Sequence, residues 1–184
     1  MRLFVAVDLP ETLSEDIRAA QARFDGAAGL RFTDPEQAHV TIQFLGEVDS
    51  ETREPIESAL EAAVSGDDIA PFEASVGGFG VFPSLEYISV VWTGIRQGAG
   101  ELTRLNAIVE EHLAPLGFEG DDHAFTPHVT LARMDDARGK ETVQRVVREE
   151  DPTVGTFEVP ELRLKASELS PEGPDYSTLT RFPL

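Results

Sequence analysis

Apolar residues along the chain recur with two periods. Residues 3–7 are a continuous apolar run of strand length, and Pro10-Glu11 then opens a pattern in which Leu13, Ile17, Ala20 and Phe24 share one helical face through residue 24. Pro10 suits a first helical turn. After a break at 26–29 the pattern predicts a brief strand over 30–32 and a stronger one over 39–45. Residues 50–64 predict a second helix, with Ile56, Leu60 and Val64 four apart and Glu51, Glu54, Glu57 and Glu61 on its other faces. Two β-rich runs, 72–76 and 87–95, are separated by Gly77-Gly78-Phe79-Gly80 and Phe82-Pro83, which predicts antiparallel strands with a bend or bulge between them. A third helix over 101–116 carries Leu102, Leu105, Val109 and Leu113 as its buried stripe, with Gly117 as its stop. Residues 128–134 predict a strand, 140–148 a short helix, and 162–169 and 178–182 the last strands.

Helices do not alternate strictly with strands in this order, so the expected class is α+β rather than a doubly wound parallel sheet. No linker rich in Pro, Gly or Ser divides the chain, and 184 residues fit one domain, 1–184, or two small lobes sharing a core. The first half nevertheless repeats in the second in outline, each with a strand, a helix of about four turns and a strand bearing one tripeptide.

Composition adds a constraint on partners. Fifteen Lys plus Arg against 34 Asp plus Glu give a formal charge of −19, with a pI near 4.4. Binding to nucleic acid along its backbone rests on neutralising phosphates, so a protein that coats RNA or DNA is excluded, as is a polybasic membrane-surface protein. Lys140 and Lys165 are the two lysines. Adaptation to a salt-rich cytoplasm and codon bias toward Arg both account for that scarcity. The absence of cysteine removes thiolate nucleophiles and Cys-based zinc sites. The N-terminal segment reaches Asp8 before a signal-length apolar region forms, and no run of 18 apolar residues exists, so a cytoplasmic protein without membrane contact is expected.

The repeated tripeptide is His-Val-Thr, at His39-Val40-Thr41 and His128-Val129-Thr130. Chance recurrence at two of the four histidines is roughly one in 4,000 on composition alone. Strand alternation sends His39, Thr41 and Gln43 to one face and Val40, Ile42 and Phe44 to the other; His128 and Thr130 project likewise against Val129 and Leu131. Two such strands related by a pseudo-twofold axis would line a cleft with two imidazoles and two hydroxyls. That set suits transfer at a phosphodiester. One imidazole takes a proton from water and the other gives one to the leaving oxygen, while the Thr hydroxyls donate to phosphoryl oxygens. No metal or other cofactor is required.

The chain is identified here as similar to the 2H phosphoesterase superfamily, by the paired His-x-Thr motifs. Phe4-Val5-Ala6-Val7-Asp8-Leu9-Pro10, the runs from His39 to Gly46 and from His128 to Arg133, and Ser167 to Tyr176 resemble its 2′-5′ RNA ligase-like branch, the RNA 2′,3′-cyclic phosphodiesterases. The resemblance implies a bilobal fold of two pseudo-symmetric, intertwined lobes, with antiparallel sheets facing a central cleft and helices outside. It implies hydrolysis of an RNA terminal 2′,3′-cyclic phosphate to a 2′-phosphomonoester, weak reverse 2′-5′ ligation, His39 as proton donor and His128 as proton acceptor. The expected partner is RNA with a cyclic phosphate end, tRNA fragments included, bound by a monomer. Small cyclic nucleotides or 2′-5′ oligonucleotides are alternative substrates, and a non-catalytic RNA-end binder is the alternative from another class.

Arg133 is a candidate phosphate clamp, but ideal alternation turns it away from His128, so the role requires the strand to bend or end near Ala132. Phe79, Phe82, Trp92, Phe125 and Tyr176 are candidate base-stacking surfaces, with Phe125 and Tyr176 preferred. His112 reads as a solvated helix residue and His123, after Asp121-Asp122, as part of a loop. The acidic residues are expected on the outer faces of the helices, outside a cleft made locally positive by histidine and arginine.

Overall fold

The structure is a computed structural model and describes residues 1–66 and 69–184. Among the described residues, nine strands and four helices follow in the order β1 (Arg2–Asp8), α1 (Ser14–Ala22), β2 (Leu30–Phe32), β3 (His39–Glu47), α2 (Arg53–Gly66), β4 (Phe72–Pro83), β5 (Ile88–Ile95), α3 (Ala99–Leu113), β6 (His128–Met134), α4 (Lys140–Glu149), β7 (Thr153–Val159), β8 (Glu161–Ser170) and β9 (Gly173–Pro183). The α+β class holds. The predicted helix over 10–24 begins as a 3₁₀ turn over Glu11–Leu13, and that over 101–116 ends in one over Ala114–Leu116, where Pro115 withholds an N–H. Between Pro152 and Pro160 lies a strand that the pattern did not predict, β7, with Val154, Phe157 and Val159 buried. The Ser170–Gly173 turn is tight enough to make β8 and β9 one long hairpin, so Tyr176 stands in a strand, opposite Ser167, rather than in a loop.

All pairings are antiparallel, in the order β7-β4-β5-β6-β3-β1-β8-β9, with β2 on β6. The two expected sheets are joined by one bridge pair, Val40 opposite Val129 at the β3–β6 seam, and both valines are fully buried. The chain crosses that seam repeatedly: β1, β3, β8 and β9 lie on one side, β2, β4, β5, β6 and β7 on the other. Helices α2 and α3 pack together against the first half, and α1 and α4 against the second. Core side chains Leu3, Val5 and Val7 of β1, Val40 and Ile42 of β3, Val129 and Leu131 of β6, and Leu162 and Leu164 of β8 point to the helices. The other face of the curled sheet is left to polar and aromatic groups. Among the described residues no helix is long and apolar enough to cross a membrane.

Both motif strands carry a bulge one residue after the threonine. Val5 faces Gln43 while Ala6 faces Thr41, so Ile42 is extra in β3. Val91 faces Ala132 while Trp92 faces Thr130, so Leu131 is extra in β6. A bulge puts two consecutive side chains on one face and resets the alternation. Ile42 with Gln43, and Leu131 with Ala132, are accordingly all buried. Simple alternation fails here: Gln43 turns to the core, whereas Phe44 joins His39 and Thr41, and Arg133 joins His128 and Thr130.

Candidate active site

The register at the seam indexes His39 to Thr130 and Thr41 to His128, bringing all four residues onto the helix-free face beside the Val40–Val129 pair. Each imidazole is oriented by the same device. His39 Nδ1 lies 2.8 Å from the Gln37 carbonyl and His128 Nδ1 lies 2.7 Å from the Thr126 carbonyl, two residues upstream in both cases. A carbonyl only accepts, so each Nδ1 carries the hydrogen and each Nε2 is left to exchange a proton with a substrate. Burial holds both histidines below the ordinary imidazole value. Those carbonyls partly offset it; Lys165 and His128 push His39 further down and Asp8 pushes it up, while Arg133 pushes His128 down.

The walls differ between the halves. Around His39, Phe4 and Tyr176 lie at ring-centroid distances of 5.2 and 5.1 Å, Tyr176 edge-on. Gln37 ties this wall together: its side-chain oxygen accepts from the Tyr176 N–H at 2.8 Å and its amide donates to the Pro174 carbonyl at 3.2 Å. Around His128, Phe82 stands edge-on at 4.8 Å and Trp92 at 5.8 Å. Gly80 of the glycine-rich run makes room for Trp92. A Cβ on Gly80 would lie 2.2 Å from the indole ring, so the strand accepts the ring only where no side chain is present, and Gly78 takes φ +73° at a register shift of β4. Phe79 points the other way and packs edge-on against Phe24 at 4.8 Å.

Arg133 answers the condition set by its sequence position, since the bulge returns it to the His128 face. It is exposed and, among the described residues, has no carboxylate partner, although carboxylates outnumber cations more than two to one. Its charge reaches both His128 and Tyr176, whose hydroxyl is raised by burial and lowered by Arg133. Phe44, which alternation assigned to the core, is 69% exposed at the corresponding place in β3. Only the neighbouring strand's register could have revealed that.

A cavity of about 660 Å³ opens beside the seam. Thr41, His128, Phe44, Phe82 and Phe125 line it, and Phe125 is half-buried there. Asn106 of α3 closes the edge where β3 parts from β6, donating to the Ile42 carbonyl at 2.8 Å. The cavity rim corrects the expected charge layout. Glu110, Glu119 and Asp121 line it, and Glu57 of α2 is not on an outer face but pairs with Arg53 at 2.8 Å and accepts from Thr180. His112 bonds within its own helix to the Ile108 carbonyl, and His123 is exposed in the loop before β6.

Known proteins resemble this chain in sequence and fold. The family model described as the 2′-5′ RNA ligase superfamily matches residues 9–168. The RNA 2′,3′-cyclic phosphodiesterase of Archaeoglobus fulgidus is 38% identical over 183 residues, covering 99% of each chain. A crystal structure from Thermus thermophilus superimposes with a TM-score of 0.83 at 30% identity, over 100% of this chain and 98% of that one. The structure of E. coli LigT complexed with 3′-AMP does so with a TM-score of 0.78 at 29% identity, over 100% and 97%. With paired His-x-Thr strands on one face and a relative of that similarity over its full length, the chain belongs to the 2′-5′ RNA ligase superfamily.

Proposed function

We propose that this protein is an RNA 2′,3′-cyclic phosphodiesterase that opens a terminal cyclic phosphate to a 2′-phosphomonoester. The observation that carries the reading is the pair of imidazoles, each with Nδ1 tied to a carbonyl and Nε2 free, on one face with Thr41, Thr130 and Arg133. The name carried by the Archaeoglobus relative, and the nucleotide held by LigT, agree with it.

In the proposed reaction His128 Nε2 takes a proton from water as the water oxygen bonds to phosphorus. The bond from phosphorus to the 3′ oxygen breaks, and His39 Nε2 gives that oxygen its proton, leaving a 2′-phosphate and a 3′-hydroxyl. The division follows the family resemblance; the nearby charges do not decide it, since Lys165 disfavours the imidazolium of His39 more than Asp8 favours it, and Arg133 disfavours that of His128. Thr41, Thr130 and Arg133 hold the non-bridging oxygens as charge builds on them. An RNA 5′-hydroxyl in place of water gives a 2′-5′ linkage by the same steps, the weak ligation expected for the family. The cavity beside His128, between Phe44, Phe82 and Phe125, is the proposed place of the base and sugar, while Tyr176 packs edge-on against His39. Few phosphate contacts are needed at one chain end, which reconciles an RNA substrate with the charge of −19. tRNA fragments are a proposed source of such ends, and a monomer suffices because every group named comes from one chain.

The test is turnover of an oligonucleotide ending in 2′,3′-cyclic phosphate, with chelator present, by the wild type and by His39→Ala and His128→Ala. A 2′-phosphate product made by the wild type and slowed about 10²-fold or more by each change supports the reading. Turnover within about tenfold of the wild type after either change, or saturable binding with no product, defeats it.

A further inference from the structure

The two halves of the site are superimposable in register but not in charge. Opposite His39, β1 places Asp8; opposite His128, β5 places Gly94. One strand further out, Lys165 and Arg163 of β8 face Phe4 and Ala6, whereas Phe82 and Gly80 of β4 hold the equivalent places, facing Val90 and Trp92. Three charged side chains beneath one imidazole therefore stand where the other has a phenylalanine and two glycines filled in by an indole.

The charged layer is tightly built. Lys165 Nζ donates to both Asp8 oxygens, at 2.8 and 2.7 Å, and Arg163 donates to Asp8 Oδ2 at 2.8 Å. Lys165, one of the two lysines in the chain, is 5% exposed. Burying a cation and an anion costs more than packing apolar groups of similar size, and the opposite half achieves the same layer without charge, so stability does not account for the pair. An asymmetric consequence is the field at His39. The titratable and charged groups around that ring are Asp8 on β1, Lys165 and Arg163 on β8, with Glu161 beyond Arg163, Tyr176 on β9 and His128 across the seam.

We propose that Asp8 and Lys165 are positioning residues whose buried ion pair makes the two imidazoles unequal, setting how readily His39 holds its proton. The proposal rests on the acid and base roles given above. Lys165 disfavours the His39 cation and Asp8 favours it, so their removal acts with opposite sign. Lys165→Met leaves Asp8 less compensated and moves the His39 titration to higher pH; Asp8→Asn leaves Lys165 uncompensated and moves it to lower pH.

The experiment follows the His39 ring resonances by NMR through a pH titration of the free protein, in wild type, Lys165→Met, Lys165→Arg and Asp8→Asn, with the pH profile of kcat/KM on a cyclic-phosphate oligonucleotide alongside. Opposite displacements of the His39 midpoint, a smaller displacement at His128 and retention of the wild-type midpoint in Lys165→Arg are the expected result. Each unit of displacement changes the fraction of protonated His39 on that limb about tenfold. Displacement of both variants in the same direction, or of neither, overturns the proposal, because a purely structural pair would lower stability without sorting the variants by charge. Should Lys165→Met fail to fold, the near-isosteric Asp8→Asn decides alone by the sign of its displacement. Absence of turnover in the wild type would defeat the proposed function while the titration still tests the pair.

Discussion

The half of the molecule around His39 and the half around His128 use one backbone plan and two chemistries. Both have the His-Val-Thr strand, a bulge after the threonine and a carbonyl two residues upstream on Nδ1. They part at the fifth residue after each histidine, Phe44 against Arg133, and in the layer beneath, where the ion pair of Asp8 and Lys165 faces its counterpart of Trp92, Phe82 and two glycines. A reaction that adds a proton on one side of phosphorus and removes one on the other needs such inequality. Backbone symmetry supplies two Nε2 atoms at one seam, and the proposed reaction assigns them different work.

The strongest way to break the comparison is to delete either imidazole. His39→Ala and His128→Ala are each expected to lower kcat/KM by about 10² to 10⁴, with the double variant falling by less than the product, since the two act in one step. Single-turnover assays on a cyclic-phosphate oligonucleotide check this. Next comes the charge at the fifth position. Arg133→Met removes charge-assisted hydrogen bonds worth about 1.5 to 3 kcal/mol, or roughly ten- to 150-fold, whereas Phe44→Leu keeps the apolar wall and costs less.

The pH profile sharpens the comparison without mutation. Burial lowers both histidines, the donor must hold its proton and the acceptor must lack one, so kcat/KM peaks on the acid side of the ordinary imidazole value and falls on both sides, about tenfold per unit far from the peak. A bound phosphate anion favours both imidazolium forms, which places the kcat profile at higher pH than that of kcat/KM. The same depression bears on folding. The unfolded chain takes up protons on its histidines more readily, so their contribution to stability is present above the ordinary value and is lost as pH falls through it toward the folded midpoints. Urea denaturation at a series of pH values reads this. The smallest effect is at Gly80→Ala, which forces the Trp92 ring off β4; a loss of about 1 to 3 kcal/mol in urea denaturation is expected, with a modest fall in rate as His128 loses its wall.

The motif strands, the helices and the α+β class were legible in the sequence because each rests on local periodicity. Residues 39–45 and 128–134 alternate as strands must, and α2 and α3 carry apolar stripes. The bulges were not legible, because an extra residue is defined only against a partner: Gln43 and Phe44 exchange faces through their register with Val5 and Phe4. For the same reason Arg133 could be given only a condition. Trp92 and Gly80 are 12 residues apart in sequence, and Asp8 and Lys165 are 157 apart, so neither pairing leaves a pattern that a window along the chain can detect. Strand β7 was hidden by Gly155 and by the prolines on either side, which read as loop until β4 supplies its partner.

The central claim is that His39 gives a proton to the departing 3′ oxygen while His128 takes one from water. A terminal cyclic phosphate whose bridging 3′ oxygen is replaced by sulfur leaves without needing a proton, and single-turnover rates on this substrate and on its oxygen counterpart test the claim directly. His39→Ala should recover most of its lost rate on the sulfur substrate and His128→Ala none. Recovery by His128→Ala, or equal behaviour of the two variants, would contradict the assignment.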